Sequence, residues 1–228
     1  MTRRIYIFSN VCILLVLVAL TAVIFAVDLN RIFLTVSAPL YNGNRERPEV
    51  SIMISITQNS PLVEPMMEIL TERGVDATFF VTGSWVKQNM ELAQRMGERF
   101  ELGNSGFSGE SLQRKTQAAI HEQIDTSHQV IKSVTGACTA LFSPPGGGFG
   151  RNTLRAAEGL GYTTIMWSRD TRNDISPDMI FTRATRYVKN GDLILFAPSL
   201  DALAALPQAI DYFLTNGFSV VRVSESIS

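Results

Sequence analysis

Val50-Ser51-Ile52-Met53-Ile54-Ser55-Ile56 is the stretch on which the fold turns. Apolar and small residues alternate in it with β-branched enrichment, which is the composition of a strand covered on both faces. Downstream, Leu62, Met66, Ile69 and Leu70 recur at helical spacing, Pro65 suits a first turn and Gly74 closes the segment, so a helix follows. The alternation then repeats. Strands at 77–81, 100–103, 140–142, 163–167, 193–196 and 219–223 interleave with helices at 84–96, 112–134, 152–160, 177–187 and 202–214. About seven strands alternating with helices specify parallel βα units, and the count favours a closed or nearly closed barrel over a short open sheet. In such folds chemistry gathers where strands end and loops begin.

Upstream, Ile5 to Val27 is a run of 23 residues without a charge. As a helix it reaches roughly 34 Å, enough for the hydrocarbon core of a bilayer. Arg3 and Arg4 precede it, so the positive-inside rule puts residues 1–4 in the cytoplasm and the rest outside. A cleaved signal has a shorter apolar core, so the run reads as an uncleaved anchor. The expected organisation is therefore a cytoplasmic N-terminus (1–4), a single-pass anchor in the cytoplasmic membrane (5–27), a polar juxtamembrane linker (28–48) and one extracytoplasmic α/β domain (49–228). With 228 residues and 46% of them hydrophobic, one core is the default. The 20 basic and 21 acidic residues cancel to −1, which gives no field that would favour nucleic acid. The two cysteines, Cys12 and Cys138, form neither a disulfide framework nor a CxxC metal signature.

The predicted strand ends read Thr57-Gln58-Asn59, Thr82-Gly83, Asn104-Ser105, Ser143-Pro144, Ser168-Arg169-Asp170, Phe196-Ala197 and Ser224-Glu225. A hydrolytic zinc site wants about three ligands from His, Asp, Glu or Cys, and these ends hold no histidine. Ser60, Ser105 and Ser143 lack a neighbouring base for nucleophilic catalysis. Asp170 and Asp174 share one loop, so they do not face each other across a cleft as glycosidase carboxylates do. His121, Asp125 and His128 form a stripe on the 112–134 helix, read as a solvated face beside the buried Ile120, Ile124 and Ile131. Gly146-Gly147-Gly148-Phe149-Gly150-Arg151 misses both the dinucleotide and the P-loop patterns and reads as a flexible turn before a helix.

Residues 49 to 225 resemble the polysaccharide deacetylases, the NodB-homology domain of carbohydrate esterase family 4. The resemblance rests on Asp76-Ala77-Thr78-Phe79-Phe80-Val81-Thr82-Gly83, Glu101-Leu102-Gly103-Asn104, Leu160-Gly161-Tyr162 and Gly191-Asp192-Leu193-Ile194-Leu195, in family order. It implies a distorted (β/α)7-type barrel. It also implies where catalysis sits. The family's T-F-D-D-G corresponds to Ser55-Ile56-Thr57-Gln58-Asn59, with Thr57 for the base and Gln58 for a metal ligand. H-[ST]-x-x-H corresponds to Ser105-Gly106-Phe107-Ser108-Gly109, with Ser105 and Gly109 for the metal histidines. R-x-P-[YF] corresponds to Ser143-Pro144-Pro145-Gly146, and D-x-R-D-W to Asp170-Thr171-Arg172-Asn173-Asp174. The last residue of L-x-L-H, the general acid, corresponds to Phe196.

The resemblance thus implies an emptied site: no metal ligand, no competent catalytic residue and no cofactor. Loss of base and acid removes proton transfer worth typically 10²–10⁴-fold. The expected protein is a non-catalytic, membrane-tethered deacetylase-like domain whose former groove binds an envelope glycan or a partner protein. Asn59, Pro144, Phe149, Asp170 and Arg172 are the candidate groove residues, with Trp85 and Trp167 as further stacking surfaces. The alternative is a divergent metal-dependent N-deacetylase that recruits Asp170, Asp174 and Glu110. Restoring Thr57→Asp, Gln58→Asp, Ser105→His and Gly109→His together is expected to rebuild metal affinity if the loops keep the family geometry.

Overall fold

The computed structural model describes residues 14–22, 37–58 and 60–228. The chain divides into two units, up to Ser37 and from Ala38 onward. In the first, residues 14–22 are helical. Most of the expected 5–27 anchor lies outside the described residues, and no helix among those described is long and apolar enough to cross a membrane.

The second unit runs β1 (Glu49–Ile56), α1 (Val63–Glu72), β2 (Thr78–Val81), α2 (Gly83–Gln88), α3 (Met90–Arg99), β3 (Glu101–Asn104), α4 (Gln117–Thr135), β4 (Leu141–Phe142), α5 (Arg151–Gly159), β5 (Thr163–Thr164), β6 (Arg169–Asp170), α6 (Pro177–Thr185), β7 (Asp192–Phe196), α7 (Leu200–Thr215), β8 (Ser219–Val220) and α8 (Val223–Ser226). The sheet has eight strands in the order β5-β4-β3-β2-β1-β7-β6, with β8 pairing β1, and every pairing is parallel.

Each strand separates two cores by its pleat. Ile52, Ile54, Ile56, Phe79, Val81, Ile194 and Phe196 join the helix-side cluster with Met66, Leu70, Ile210 and Phe213. Met53, Phe80, Leu141, Ile165, Leu193 and Leu195 fill the inside of the barrel, where Val223 also packs. The double coverage expected of β1 is present. Gly103 is needed on β3 because a Cβ there would lie 2.4 Å from the Phe80 ring.

Several expected boundaries move. The 84–96 helix is two helices, broken where Asn89 turns its side-chain amide back onto the Trp85 carbonyl at 2.9 Å. The long helix starts at Gln117, because the Thr116 hydroxyl accepts from the Ala119 N–H as an N-cap. The 219–223 strand stops at Val220, after which Val223 opens a short helix. β6 is an eighth strand with no apolar period. The segment from Ala38 to Pro48, read as linker, belongs to the domain. Leu40 bridges Ile165 and Asn42 bridges Asp192. Leu40 N–H donates to the Thr164 carbonyl at 2.9 Å, and Gly43 N–H to Gly191 at 2.8 Å. Residues 40–42 therefore run from the β5 edge to the start of β7, and the half-barrel is closed on that side by a stub rather than by a further strand.

Candidate functional site

Asp170 and Arg172 form the charged pair of the strand-end loops. The guanidinium donates to both carboxylate oxygens, at 2.9 and 2.7 Å, and the Arg172 N–H adds a third bond at 3.1 Å. Burial pushes the Asp170 carboxyl up, but the Arg172 bonds and charge outweigh it and hold it below its ordinary value. A carboxylate whose lone pairs are engaged this way is a poor proton acceptor. The guanidinium also lies 4.4 Å from the centroid of Trp167. The pair is a neutral, rigid feature of the mouth.

Thr57, half-buried just beyond β1, and the exposed Gln58 line a cavity of about 300 Å³ with Ser55, Ser60, Ala197 and Pro198. Its polar groups are hydroxyls and one amide. Asn59 lies outside the described residues. Ser105 is buried and donates to the Ser143 carbonyl at 2.8 Å. Gly109 comes close to Thr57: a Cβ on it would stand 3.1 Å from the Thr57 carbonyl oxygen and 3.4 Å from its Cβ. The structure therefore brings together Thr57, Gln58 and Gly109, the positions that the family motifs associate with base and metal. The groups on them are a hydroxyl, an amide and a hydrogen atom.

The donors do not fit a divalent metal. Among the described residues no three His, Cys, Asp or Glu side chains gather closely enough to hold one. Glu110 is paired with Lys115 at 2.8 Å, and Asp174 with Arg183 at 3.4 Å. His128 is not a solvated residue: its Nδ1 lies 2.7 Å from the Tyr162 hydroxyl, which also bonds Thr139 and Asn104.

Phe196 needs correcting. It pairs with Ile54 and is fully buried on the helix side, so its side chain points away from the mouth. Strand parity puts Leu193 and Leu195 inside the barrel, and the next residue on that face is Ala197, which lines the cavity. The β7 position that lines the Thr57 cavity is thus occupied by a methyl group, one residue later than the motif reading gives. The signal was available in the alternation of β7.

Trp85 is only 2% exposed and offers no sugar a stacking face. Trp167 is half-buried and packs against the barrel core. Pro144 is buried and Phe149 half-buried. The glycine-rich loop is a close-packed piece rather than a flexible turn, since a Cβ on Gly147 would meet the Trp167 ring at 2.6 Å.

A parallel half-barrel carrying these motifs in order defines the class: a deacetylase-type βα barrel. The polysaccharide deacetylase family model matches residues 43–165, and this chain belongs to that family. It is 30% identical over 190 residues to the uncharacterized protein YlxY of Bacillus subtilis, covering 82% of this chain and 60% of that protein. It is 29% identical over 130 residues to the peptidoglycan-N-acetylmuramic acid deacetylase PdaA of the same organism, covering 56% of this chain and 49% of that one. The chain thus spans only about half to three-fifths of the length of these relatives. Among solved structures, BA3943 of Bacillus anthracis, a family 4 carbohydrate esterase pseudoenzyme, superposes with a TM-score of 0.80 at 27% identity, covering 84% of this chain and 69% of that one. A variant of that protein with restored enzymatic activity superposes equally well.

Proposed function

We propose that this protein is a membrane-anchored, extracytoplasmic polysaccharide-deacetylase-like domain that has given up deacetylation and holds an envelope glycan at the mouth of its barrel. The observation that carries the reading is the set Thr57, Gln58, Ser105, Gly109 and Ala197. None of these side chains supplies a carboxylate or an imidazole to ligate a metal or move a proton. The neutral lining lets the loops pack without a cation, because no acids repel one another there. Hydroxyls, an amide, the Asp170–Arg172 fork and the edge of Trp167 suit the hydroxyl and amide groups of an uncharged sugar. The similarity to BA3943 and to enzymes of peptidoglycan supports both halves of the reading, inactivity and glycan contact. The anchor rests on the apolar run at 5–27.

The test uses the purified full chain. Metal content and acetate release from N-acetylated glycans are measured under added Zn²⁺, Co²⁺ or Mn²⁺, beside sedimentation with insoluble peptidoglycan. Glycan retention without turnover is expected. Stoichiometric metal with acetate release would instead establish a deacetylase with relocated ligands. Extraction of membranes with alkaline carbonate checks the anchor, and the chain is expected to stay in the pellet.

A further inference from the structure

A second cavity, of about 490 Å³, lies along α6. Met179, Thr182, Arg183 and Arg186 line it at helical spacing, so it is a trough parallel to that helix and its C-cap. Its other wall is Arg169 and Asp174. The Asp174 side chain is only 6% exposed and is neutralised by Arg183. Arg169 is engaged by Asp192 at 2.7 Å and by the carbonyls of Arg183, Arg186 and Tyr187. Two lining charges have no counter-ion among the described residues, Asp178 in the first turn of α6 and Arg186 just beyond its last.

Eight positions separate them, which at helical rise is about 12 Å. An extended chain advances about 3.3–3.6 Å per residue, so a peptide of roughly three residues spans that gap from ammonium to carboxylate. Tyr187, at the Arg186 end, is the single non-glycine residue with positive φ (58°) among the described residues, and it is 75% exposed. Arg169 holds this disfavoured turn through the Tyr187 carbonyl. The turn sets the Arg186 guanidinium 4.9 Å from the Tyr187 ring centroid and displays both at the end of the trough.

The geometry points to a binding site for a short extended peptide with both ends free, its ammonium at Asp178, its middle over Met179 and Thr182, and its carboxylate at Arg186. An uncharged sugar would leave both end charges unmatched. A simple anion would match Arg186 alone and leave Asp178 without a partner.

Isothermal titration of the full chain with trialanine tests this. Saturable binding is expected, with N-acetyl-trialanine and trialanine amide each about three- to tenfold weaker, the range of an ion pair at a half-open site. Arg186→Gln should weaken trialanine by the same factor and abolish the distinction between free acid and amide. Asp178→Asn should abolish the distinction between free and acetylated amine. Both side chains are exposed, so the fold tolerates these changes. Absence of saturable binding, equal affinity for the blocked peptides, or indifference to Arg186→Gln would overturn the assignment. So would binding of chitotetraose, with no peptide binding, that Arg186→Gln weakens.

Discussion

Gly109 shows how far the site has moved from a metal centre. Its φ is +75°, a conformation that costs a residue with a Cβ roughly 1–2 kcal/mol. The loop around it is fixed by backbone bonds: Gly83 and Ser84 N–H donate to the Gly106 and Phe107 carbonyls at 3.1 and 3.0 Å, and Gly106 N–H donates to the Asn104 side chain at 2.8 Å. Gly109→Ala is therefore expected to lower unfolding free energy by about 1–2 kcal/mol in a urea titration. The fourfold restoration Thr57→Asp, Gln58→Asp, Ser105→His, Gly109→His meets the same backbone, and Ser105 is buried against the Ser143 carbonyl. Zinc is expected to bind, with an affinity lowered about 5- to 30-fold by that backbone cost. A chain that takes up no zinc would mean that these loops have left the family geometry.

Asp192 is the other residue whose environment is decisive. It accepts from Arg45 at 2.8 Å, Arg169 at 2.7 Å, Ser168 at 3.0 Å and the Lys189 N–H at 2.9 Å. Burial pushes its carboxyl up, yet these donors outweigh burial and leave it below its ordinary value. A carboxyl lowered by folding stabilises the protein fully above the unfolded pKa of about 3.9, and that stability fades as pH falls toward the folded value. Chemical denaturation between pH 7 and 3 should thus show a loss in acid that is smaller in Asp192→Asn. That variant should itself be less stable at pH 7 by about 3–5 kcal/mol, because it strands Arg169.

At the scale of elements, much was legible. Long periodic helices and two-sided strands announce themselves through the spacing of apolar residues, and β1, β2, β7 and α7 fall close to where the pattern puts them. β6 does not. Two residues, Arg169 and Asp170, carry no period, and the strand exists because Ser168 and Thr171 N–H reach the Leu193 and Leu195 carbonyls at 3.0 and 3.1 Å. Such a strand is created by its partner. In the site, motif spacing points to Thr57, Gln58 and Gly109, while the parity of β7, which motif spacing does not encode, puts Ala197 in the cavity. The two residues can be told apart by experiment. Ala197→His should react with diethyl pyrocarbonate in the folded protein, whereas Phe196→His should be unreactive and destabilised by about 3 kcal/mol or more, the range for losing a buried aromatic ring. Equal reactivity would reverse the parity assignment.

For the whole molecule, the open side of the half-barrel matters most, because a parallel sheet that stops short leaves unpaired edges and an exposed interior. Residues 40–44 cover that side with bonds to Thr164, Gly191 and Ser226, the last from Asn44 N–H at 2.6 Å, while Met166 N–H returns to Leu40 at 2.7 Å. Arg45 then ties the stub to Asp192, and Arg47 reaches the Glu225 carbonyl at 2.7 Å. These residues are mostly exposed, Leu40 and Tyr41 included, so no hydrophobic period marks them as structural. Their role comes from backbone pairing, which sequence periodicity does not encode. Deletion should expose the difference between tether and closure. A chain starting at Ala38, which keeps the whole second unit, is expected to unfold cooperatively with the midpoint of the second unit in the full-length protein. One starting at Glu49 loses four or more net hydrogen bonds and a partner of Asp192, on the order of 4 kcal/mol. It should melt lower, bind a hydrophobic dye and aggregate through the uncovered edge. Identical melting of the two truncations would mean that the half-barrel stands without its stub, and that residues 38–48 are linker after all.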